Sequence, residues 1–511
     1  MTDILFGQAY YLRFDPKLYA AQQPYPPLGT LYAAAYLRAR GYAVALFDAM
    51  LAESEDEWAA ALDRHQPRCA ILYEDNFNYL SKMCLLRMRE AAFKMIELAK
   101  ARGCTVIVCG ADATDHAADY LARGADFVLI GEGEVTLSEL LDRLYHQAVG
   151  EVPMFDDILG LAWPGGRTPR RPDITQLDEL PFPAWDLIDV ERYRSIWQLH
   201  HGYYSMNMVT TRGCPYHCNW CAKPIWGQRY NTRSPENVVA EMKWLKETYH
   251  PDHLWFVDDI FGLKSGWIER FGKLAREQEA VIPFKCLSRA DLIKPSVAAG
   301  LKEAGCRTVW MGAESGSQKI LDAMEKGTTI SQIAEARRLL GAAGIKVAYF
   351  LQFGYPGETR ADIEATLRLV RETLPDDIGI SVSYPLPGTT FYERVKAQLG
   401  EKQNWSSSAD LAMLYQGPFT TMFYRQLHTV VHQEFRLRKG WAELKHVRTQ
   451  PRQWRVHHLR LMAATAYRWA TLPWSRWRLT RLERGAPPAI ALLPVALSQS
   501  EAAQPTVQSS R

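Results

Sequence analysis

The sequence predicts an α/β protein in which two strand–helix alternations follow one another and a mainly helical cap closes the chain. Three observations carry this expectation. Residues 1–145 alternate short apolar runs with helical stretches, the pattern of an open, mostly parallel sheet with helices on both faces. Residues 201–395 repeat the alternation six times, as a partial (β/α)6 barrel of parallel strands requires. Pro164, Gly165, Gly166, Pro169, Pro172, Pro181 and Pro183 punctuate residues 146–200 between them, the composition of a linker. The cap is expected over 396–485. Residues 486–511 are rich in Ala, Pro, Ser and Gln and are expected to be disordered.

In order, Ile4–Gly7 reads as a strand and Leu28–Gly41 as a helix closed by its glycine. Val44–Asp48 and Ala70–Tyr73 are further strands. Arg87–Arg102 is a helix closed by Gly103, and Thr105–Gly110 and Phe127–Gly131 complete a Rossmann-like sheet. Ligands of such sheets sit beyond the carboxyl ends of the strands, here the loops Gln8–Gly29, Glu74–Asn78, Gly110–Asp115 and Gly131–Glu134. Leu177–Trp185 is expected to lie extended across both domains. The barrel strands are Met206–Thr210, Leu254–Val257, Phe284–Leu287, Thr308–Gly312, Val347–Phe353 and Ile378–Val382. Barrels of this kind carry their chemistry at the carboxyl ends of the strands. Asn404–Tyr424 reads as an irregular cover and Arg425–Lys445 as a helix.

The bulk composition narrows the function. With 511 residues, 47% hydrophobic and 23% charged, the chain is an ordinary globular protein of two or three domains. A net charge of +3 gives no reason to expect a nucleic-acid partner. Nine cysteines, an odd number scattered through apolar runs, argue against a secreted disulfide framework and for a reducing cytoplasm. The first residues lack the features of a signal peptide. The apolar run Ala486–Leu497 holds three prolines and is too short to span a bilayer.

The most informative run is Cys214-Pro-Tyr-His-Cys218-Asn-Trp-Cys221, which follows a strand. Thiolates are soft ligands suited to iron–sulfur clusters. Three of them leave one iron of a four-iron cluster open to a substrate or cofactor. A zinc site would want a fourth ligand, and His217 between the thiols does not match the paired spacings of zinc fingers.

This Cys-x3-Cys-x2-Cys run resembles the signature of the radical S-adenosylmethionine (SAM) superfamily. Phe256–Gly262, Ser288–Asp291, Met311–Gln318, Phe353–Glu358 and Tyr384–Thr389 resemble, in order, the strand-end motifs of one subgroup. That subgroup has an N-terminal cobalamin-binding domain and includes the anaerobic magnesium-protoporphyrin ester cyclase, hopanoid methylases and phosphinate P-methylases. The resemblance covers roughly residues 1–395. It implies that Cys214, Cys218 and Cys221 hold a [4Fe–4S] cluster, that SAM chelates the open iron, and that an electron from the cluster splits SAM to a 5′-deoxyadenosyl radical. It implies that Arg289 meets the SAM carboxylate, the alternative being a surface ion pair with Asp291. Glu314 and Ser315 are implied to bond the SAM ribose or amino group, or else to pack the barrel rim. Gly312, Gly354 and Gly357 permit close backbone approach to a ligand. Asp258 and Asp259 face opposite sides of their strand, one toward the cavity and one holding the barrel.

The N-terminal resemblance rests on Pro26–Leu37, Phe47-Asp48 and Gly131–Leu140, and implies that Pro27, Gly29, Gly110, Gly131 and Glu132 border cobalamin. The Asp-x-His-x-x-Gly motif that supplies a lower histidine ligand elsewhere is absent, and His116 lacks its context. Cobalamin is therefore expected without a protein histidine on cobalt; the alternative is a sheet that has lost cobalamin and only shields the barrel.

The implied reaction is methyl transfer to an unactivated carbon. Oxidative cyclisation or another rearrangement uses the same parts, and a cobalamin or iron–sulfur sensor is the rival from another class. The implied partners are a small-molecule substrate, of the hydrophobic lipid or polycycle type, and an electron donor such as flavodoxin or ferredoxin. Finally, Arg452–Arg484 mixes eight arginines with Trp454, Trp469, Trp474 and Trp477. That mixture suits peripheral contact with the inner face of a membrane. It also suits nucleic acid, and the plainer reading is a solvated basic helix packed by its tryptophans.

Overall fold

The computed structural model describes residues 3–145, 154–221, 225–449 and 454–483. The tail expected to be disordered over 486–511 lies outside the described residues. The first domain is built on apolar runs, buried in the central strands and half-buried in the edge strand β2, as a parallel sheet covered on both faces demands. Its strands are β1 (Ile4–Gly7), β2 (Val44–Leu46), β3 (Cys69–Tyr73), β4 (Thr105–Cys109), β5 (Phe127–Leu129), β6 (Leu161–Trp163) and β7 (Gly166–Arg167), in the spatial order β2-β1-β3-β4-β5-β6-β7. The first five are parallel, with Ile4 opposite both Val44 and Cys69. The order reverses between β1 and β3, so a ligand crevice is expected where their carboxyl-end loops diverge.

β6 and β7 come from the segment read as linker. They form an antiparallel hairpin on β5, with Trp163 opposite Gly166. Pro164 and Gly165, read as boundary punctuation, are the two residues of its turn. The remaining linker does span both domains. Ala184 N donates to Leu31 O at 3.2 Å, and Ser234 N to Asp178 Oδ1 at 2.9 Å.

The second domain comprises β8 (Ser205–Met208), the small antiparallel pair β9 (Thr211–Arg212) and β10 (Asn231–Thr232), then β11 (His253–Phe256), β12 (Phe284–Ser288), β13 (Cys306–Glu314), β14 (Lys346–Phe353) and β15 (Asp377–Val382). Six of these form one parallel sheet in the order β8-β11-β12-β13-β14-β15, the expected partial barrel. Its helices start where the sequence supplies caps. Ser234 Oγ accepts from Asn237 N ahead of Pro235–Tyr249, and Thr359 with Asp362 makes a capping box for Arg360–Thr373.

Beyond the barrel the chain crosses the first domain irregularly. Leu86 N donates to Trp405 O at 2.8 Å and Ser408 Oγ to Asp15 Oδ1 at 2.8 Å. It ends in two long helices, Thr421–Thr449 and His457–Glu483. The four tryptophans of the last segment do not pack this cap: all are exposed.

Candidate active site between the carboxyl ends of two sheets

After β9 the chain reverses at Gly213, whose φ is +83°; a Cβ there would come within 2.3 Å of the Arg229 carbonyl oxygen. Glycine alone fits. Cys214, Cys218 and Cys221 follow on one loop, each half-buried, while the other six cysteines are buried in the two domains. Asn219 fastens the loop. Its N–H donates to Met324 O at 3.1 Å, its Nδ2 to Ala323 O at 2.9 Å, and its Oδ1 accepts from Tyr355 Oη at 2.8 Å. Sequence reasoning missed Asn219, because its partners lie over a hundred residues away. Among the described residues no three His, Cys, Asp or Glu side chains converge on a single ion. A four-iron cluster asks for a different arrangement, one thiolate on each of three irons.

Cations face the thiols. Arg289 Nη1 lies 3.8 Å from Cys218 Sγ, and its guanidinium stands 3.6 Å over the Tyr216 ring. The pairing with Asp291 exists at 3.0 Å, but it is buried rather than superficial, and Arg289 also donates to Lys326 O at 2.8 Å. Lys326, which the sequence did not flag, bonds Glu314 Oε1 at 2.9 Å. Burial alone would lower the Lys326 pKa; Glu314 and then Cys218 overcome it and hold the ammonium above its ordinary value. Positive charge beside a thiol favours the thiolate that ligates metal, so the donor set fits a cluster. Glu314 has φ +58°, an uncommon conformation for its type, at the end of a β13 bulge. Gly312 makes room for this pair, since a Cβ there would meet Glu314 and Lys326 within 2.6 Å.

The remaining barrel candidates make bonds and packing contacts within the fold. Ser315 is buried on Thr366 Oγ1 at 3.1 Å and receives Ser317 N. Gly354, at φ +83°, is enclosed by Met413, Val382 and Tyr424 and donates to Glu358 Oε2 at 2.7 Å; Gly357 takes φ +81° in the same turn. Asp258 accepts from Thr210 N and Thr211 N at 2.7 and 2.6 Å, tying β11 to the end of β8. Asp259 pairs with Lys82 of the first domain at 2.5 Å.

In the first domain, the loops at the β1/β3 reversal carry an unusual density of buried polar groups. Glu74 Oε1 accepts from Ala9 N at 2.8 Å, bridging the two diverging loops. Asp75 Oδ1 accepts from Gly29 N and Phe77 N at 3.0 and 3.1 Å. Glu74 Oε2, Asn76 Oδ1, Ser81 Oγ and Glu134 Oε2 are buried with no hydrogen-bond partner among the described residues. Such atoms mark a place for a polar ligand, so these residues fit a cofactor rich in hydrogen-bonding groups. Gly29 and Glu132 line this cavity. Pro27 precedes the helix Leu28–Arg38, Gly110 leaves room for the Glu74 side chain, and Gly131, at φ +84°, donates to Thr114 Oγ1.

Burial pushes the Glu74 carboxyl up to about 8, with smaller contributions from Asp112 and Asp75. Between the ordinary 4.5 and about 8 the folded chain therefore keeps a proton that the unfolded chain has lost, and stability falls as pH rises through that window. Glu74→Gln is expected to flatten this part of the profile, so that the variant gains on the parent between pH 5 and 8. Urea denaturation of the cofactor-free protein at several pH values measures it; parallel curves would count against a neutral Glu74.

The carboxyl ends of the two sheets face each other. Arg212 reaches from β9 to Glu132 and Glu134, the latter at 2.8 Å, with all three side chains 4% exposed. Trp226 Nε1 donates to Glu132 at 3.0 Å and its ring stacks on Phe77. Glu132 is thus a latch between domains. A separate cleft of about 480 Å³ is lined by Lys82, Asp112, Asp115, His116, Tyr384 and Asn404 among others. His116 is the sole histidine lining it, its ring nitrogens 3.8 and 3.7 Å from Asp112 and Asp119.

Residues 18–141 match the B12 binding domain and residues 208–370 the radical SAM superfamily. The chain carries a B12-binding domain followed by a radical SAM domain. It is 31% identical to an uncharacterized methyltransferase of Pyrococcus horikoshii over 52% of this chain and 57% of that protein. It is 25% identical to the anaerobic magnesium-protoporphyrin IX monomethyl ester cyclase of Rubrivivax gelatinosus, over 74% and 67%. It is 22% identical to the hopanoid C-2 methylase of Rhodopseudomonas palustris, over 76% and 68%. The chain spans little more than half the length of the first two curated relatives it matches. In fold it is similar to a radical SAM methyltransferase of Kitasatospora setae solved with cobalamin and a [4Fe–4S] cluster, with a TM-score of 0.63 at 20% identity over 78% of each chain. A cobalamin-dependent SAM radical enzyme solved with aqua-cobalamin gives 0.68 at 16% identity over 93% of this chain and 72% of that one. The latch of Arg212, Glu132 and Glu134 therefore joins the B12-binding domain to the radical SAM domain.

Proposed function

We propose that the protein is a cobalamin-dependent radical SAM enzyme that transfers a methyl group to an unactivated carbon. The observation that carries this is the meeting of the two carboxyl ends: the three-cysteine loop and the polar loops at β1/β3 open toward one another. Bound there, a [4Fe–4S] cluster, SAM and cobalamin supply one-electron chemistry and a transferable methyl group. Cys214, Cys218 and Cys221 would hold the cluster. Arg289 and Lys326 set two positive charges beside the thiolates, offsetting the negative charge that thiolate ligation brings. Glu314, held by Lys326, would present a carboxylate to the amino or ribose side of SAM. Glu74, Asp75 and Asn76 would receive the cobalamin edge. The substrate is read as a hydrophobic lipid or polycycle, met by a cytoplasmic enzyme at the inner face of a membrane, with flavodoxin or ferredoxin as electron donor.

The test uses anaerobic, reconstituted protein with hydroxocobalamin, reductant, SAM bearing a deuterated methyl group and a lipid extract of the source cells. Deuterium in an apolar product is expected. Cleavage of SAM to 5′-deoxyadenosine with no label in any product would favour oxidative cyclisation instead, the activity named for the cyclase relative. No cleavage at all would return the chain to the sensor reading.

Cobalamin is expected to bind at about one per chain without histidine on cobalt. The Co(II) form should show no nitrogen superhyperfine splitting from a protein histidine in its electron paramagnetic resonance spectrum. Splitting that disappears in His116→Ala would overturn this.

A further inference from the structure

We infer that the outer face of the last helix, His457–Glu483, is a docking surface for an anionic lipid bilayer. The helix pairs antiparallel with Thr421–Thr449 through a narrow seam. Of its buried side chains, His458, Thr465, Leu472 and Leu479 fall on a seven-residue spacing with Ser475 between the last two, and Gly440 of the partner helix lets Thr465 approach closely. Gln426 donates to Ser475 O at 3.0 Å, Arg476 to Glu434 at 2.6 Å, and His458 faces Glu443 at 3.6 Å.

The seam is satisfied by small and medium side chains, and the large apolar ones point away from it. Leu459, Met462, Trp469 and Trp477 share one exposed flank of the helix beside the seam, with Ala466, Ala470 and Pro473 between them and Tyr467 and Trp474 farther round on the outer side. Trp469 is 67% and Trp477 53% exposed. A soluble helix turns such a stripe inward; here it faces out.

Charge selects the occupant. Residues 454–483 hold six arginines and one acid, Glu483, which is engaged by Arg360 at 3.8 Å. Arg460 and Arg478 border the apolar face. Arg478 and Arg481 lie over the rings of Trp474 and Trp477 at 5.8 and 4.9 Å. Guanidinium heads beside exposed indoles match phosphates above acyl chains. No helix among the described residues is long and apolar enough to cross a membrane, so the contact lies in the interface plane. The orientation also matters. Arg360 starts the helix that follows the carboxyl end of β14, so its pair with Glu483 sets the Trp474–Trp477 end on the mouth side of the barrel. An apolar substrate leaving the bilayer would have a short path to the site. That last point rests on the methyl-transfer reading; the docking does not.

The experiment is flotation of full-length reconstituted protein with vesicles of phosphatidylcholine alone or with phosphatidylglycerol, at low and high salt. Binding to the anionic vesicles at low salt, weakened by salt, is expected. Trp469→Ser with Trp477→Ser should weaken it at least about tenfold. Arg460→Gln with Arg478→Gln should weaken it about thirty-fold. These positions are exposed and outside the site, so SAM cleavage in solution should be unchanged in both variants. Wild-type protein that stays unbound, or tryptophan variants that bind as well as wild type, would overturn the proposal. So would sedimentation showing that the tryptophans pair two copies of the chain while vesicles remain bare. Failure of SAM cleavage by the wild-type protein would remove the methyl-transfer reading and leave the flotation result standing.

Discussion

Replacing Cys218 by alanine is expected to reduce SAM cleavage to the uncatalysed background and to lower the iron and sulfide content from about four of each per chain. The physical reason lies in both the ligand and its surroundings. Cys218 is the middle thiol of the loop, and the one that meets the Arg289 guanidinium at 3.8 Å. Without it, a cluster would lose one of three corners, and Arg289 and Lys326 would face each other across a gap with one anion fewer. Asn219 keeps its bonds to Ala323, Met324 and Tyr355 in this variant, so the loop should hold its place. The measurement is anaerobic iron and sulfide analysis together with 5′-deoxyadenosine formation. Cys214→Ala and Cys221→Ala should behave alike, whereas Cys286→Ala, buried within the barrel, should retain its cluster. Full activity in Cys218→Ala would remove the cluster assignment.

The second large effect concerns the join between the domains. Arg212→Met is expected to destabilise the protein by about 3–5 kcal/mol, the usual result of removing one partner of a buried ion pair. Glu132 and Glu134 would stay behind as two carboxylates in a site from which water is almost excluded, each 4% exposed. Charge stranded in a low-dielectric site is the cause, more than loss of attraction. The control follows from that cause. Adding Glu132→Gln and Glu134→Gln to Arg212→Met removes the stranded charges and should recover most of the loss. Urea denaturation followed by tryptophan fluorescence, with limited proteolysis of the domain join, reads both effects. A single substitution as stable as the parent would mean that the latch carries no weight and that the two domains are held by Phe77, Trp226 and the Lys82–Asp259 pair.

Much of this architecture was legible in the chain. The strand runs of both domains and the three-cysteine loop are local signals. A parallel strand buried on both faces is apolar almost throughout, and the three thiols of this loop lie within eight residues, so each pattern is written in contiguous sequence. The hairpin of β6 and β7 was hidden because strands of two or three residues carry almost no period, and Pro164 and Gly165 read equally well as a boundary.

What the sequence by itself determined is therefore the order of domains, the strands that build them and the chemistry of the cysteine loop. Tertiary structure alone decided which charges meet. Lys326 finds Glu314 and Cys218, Arg212 finds Glu132 and Glu134, and Asp259 finds Lys82, over separations of roughly 12 to 177 residues. Several residues implied as ligand contacts, Ser315, Gly312 and Glu132 among them, also make contacts within the fold that the sequence did not announce. The same holds for the last helix. Its composition announced arginine and tryptophan, but whether the tryptophans packed inward or faced out depended on which side the neighbouring helix covered. A helix exposes every side chain until a partner hides one face, and the partner here took the narrow seam of Thr465, Leu472 and Leu479 and left the indoles outside.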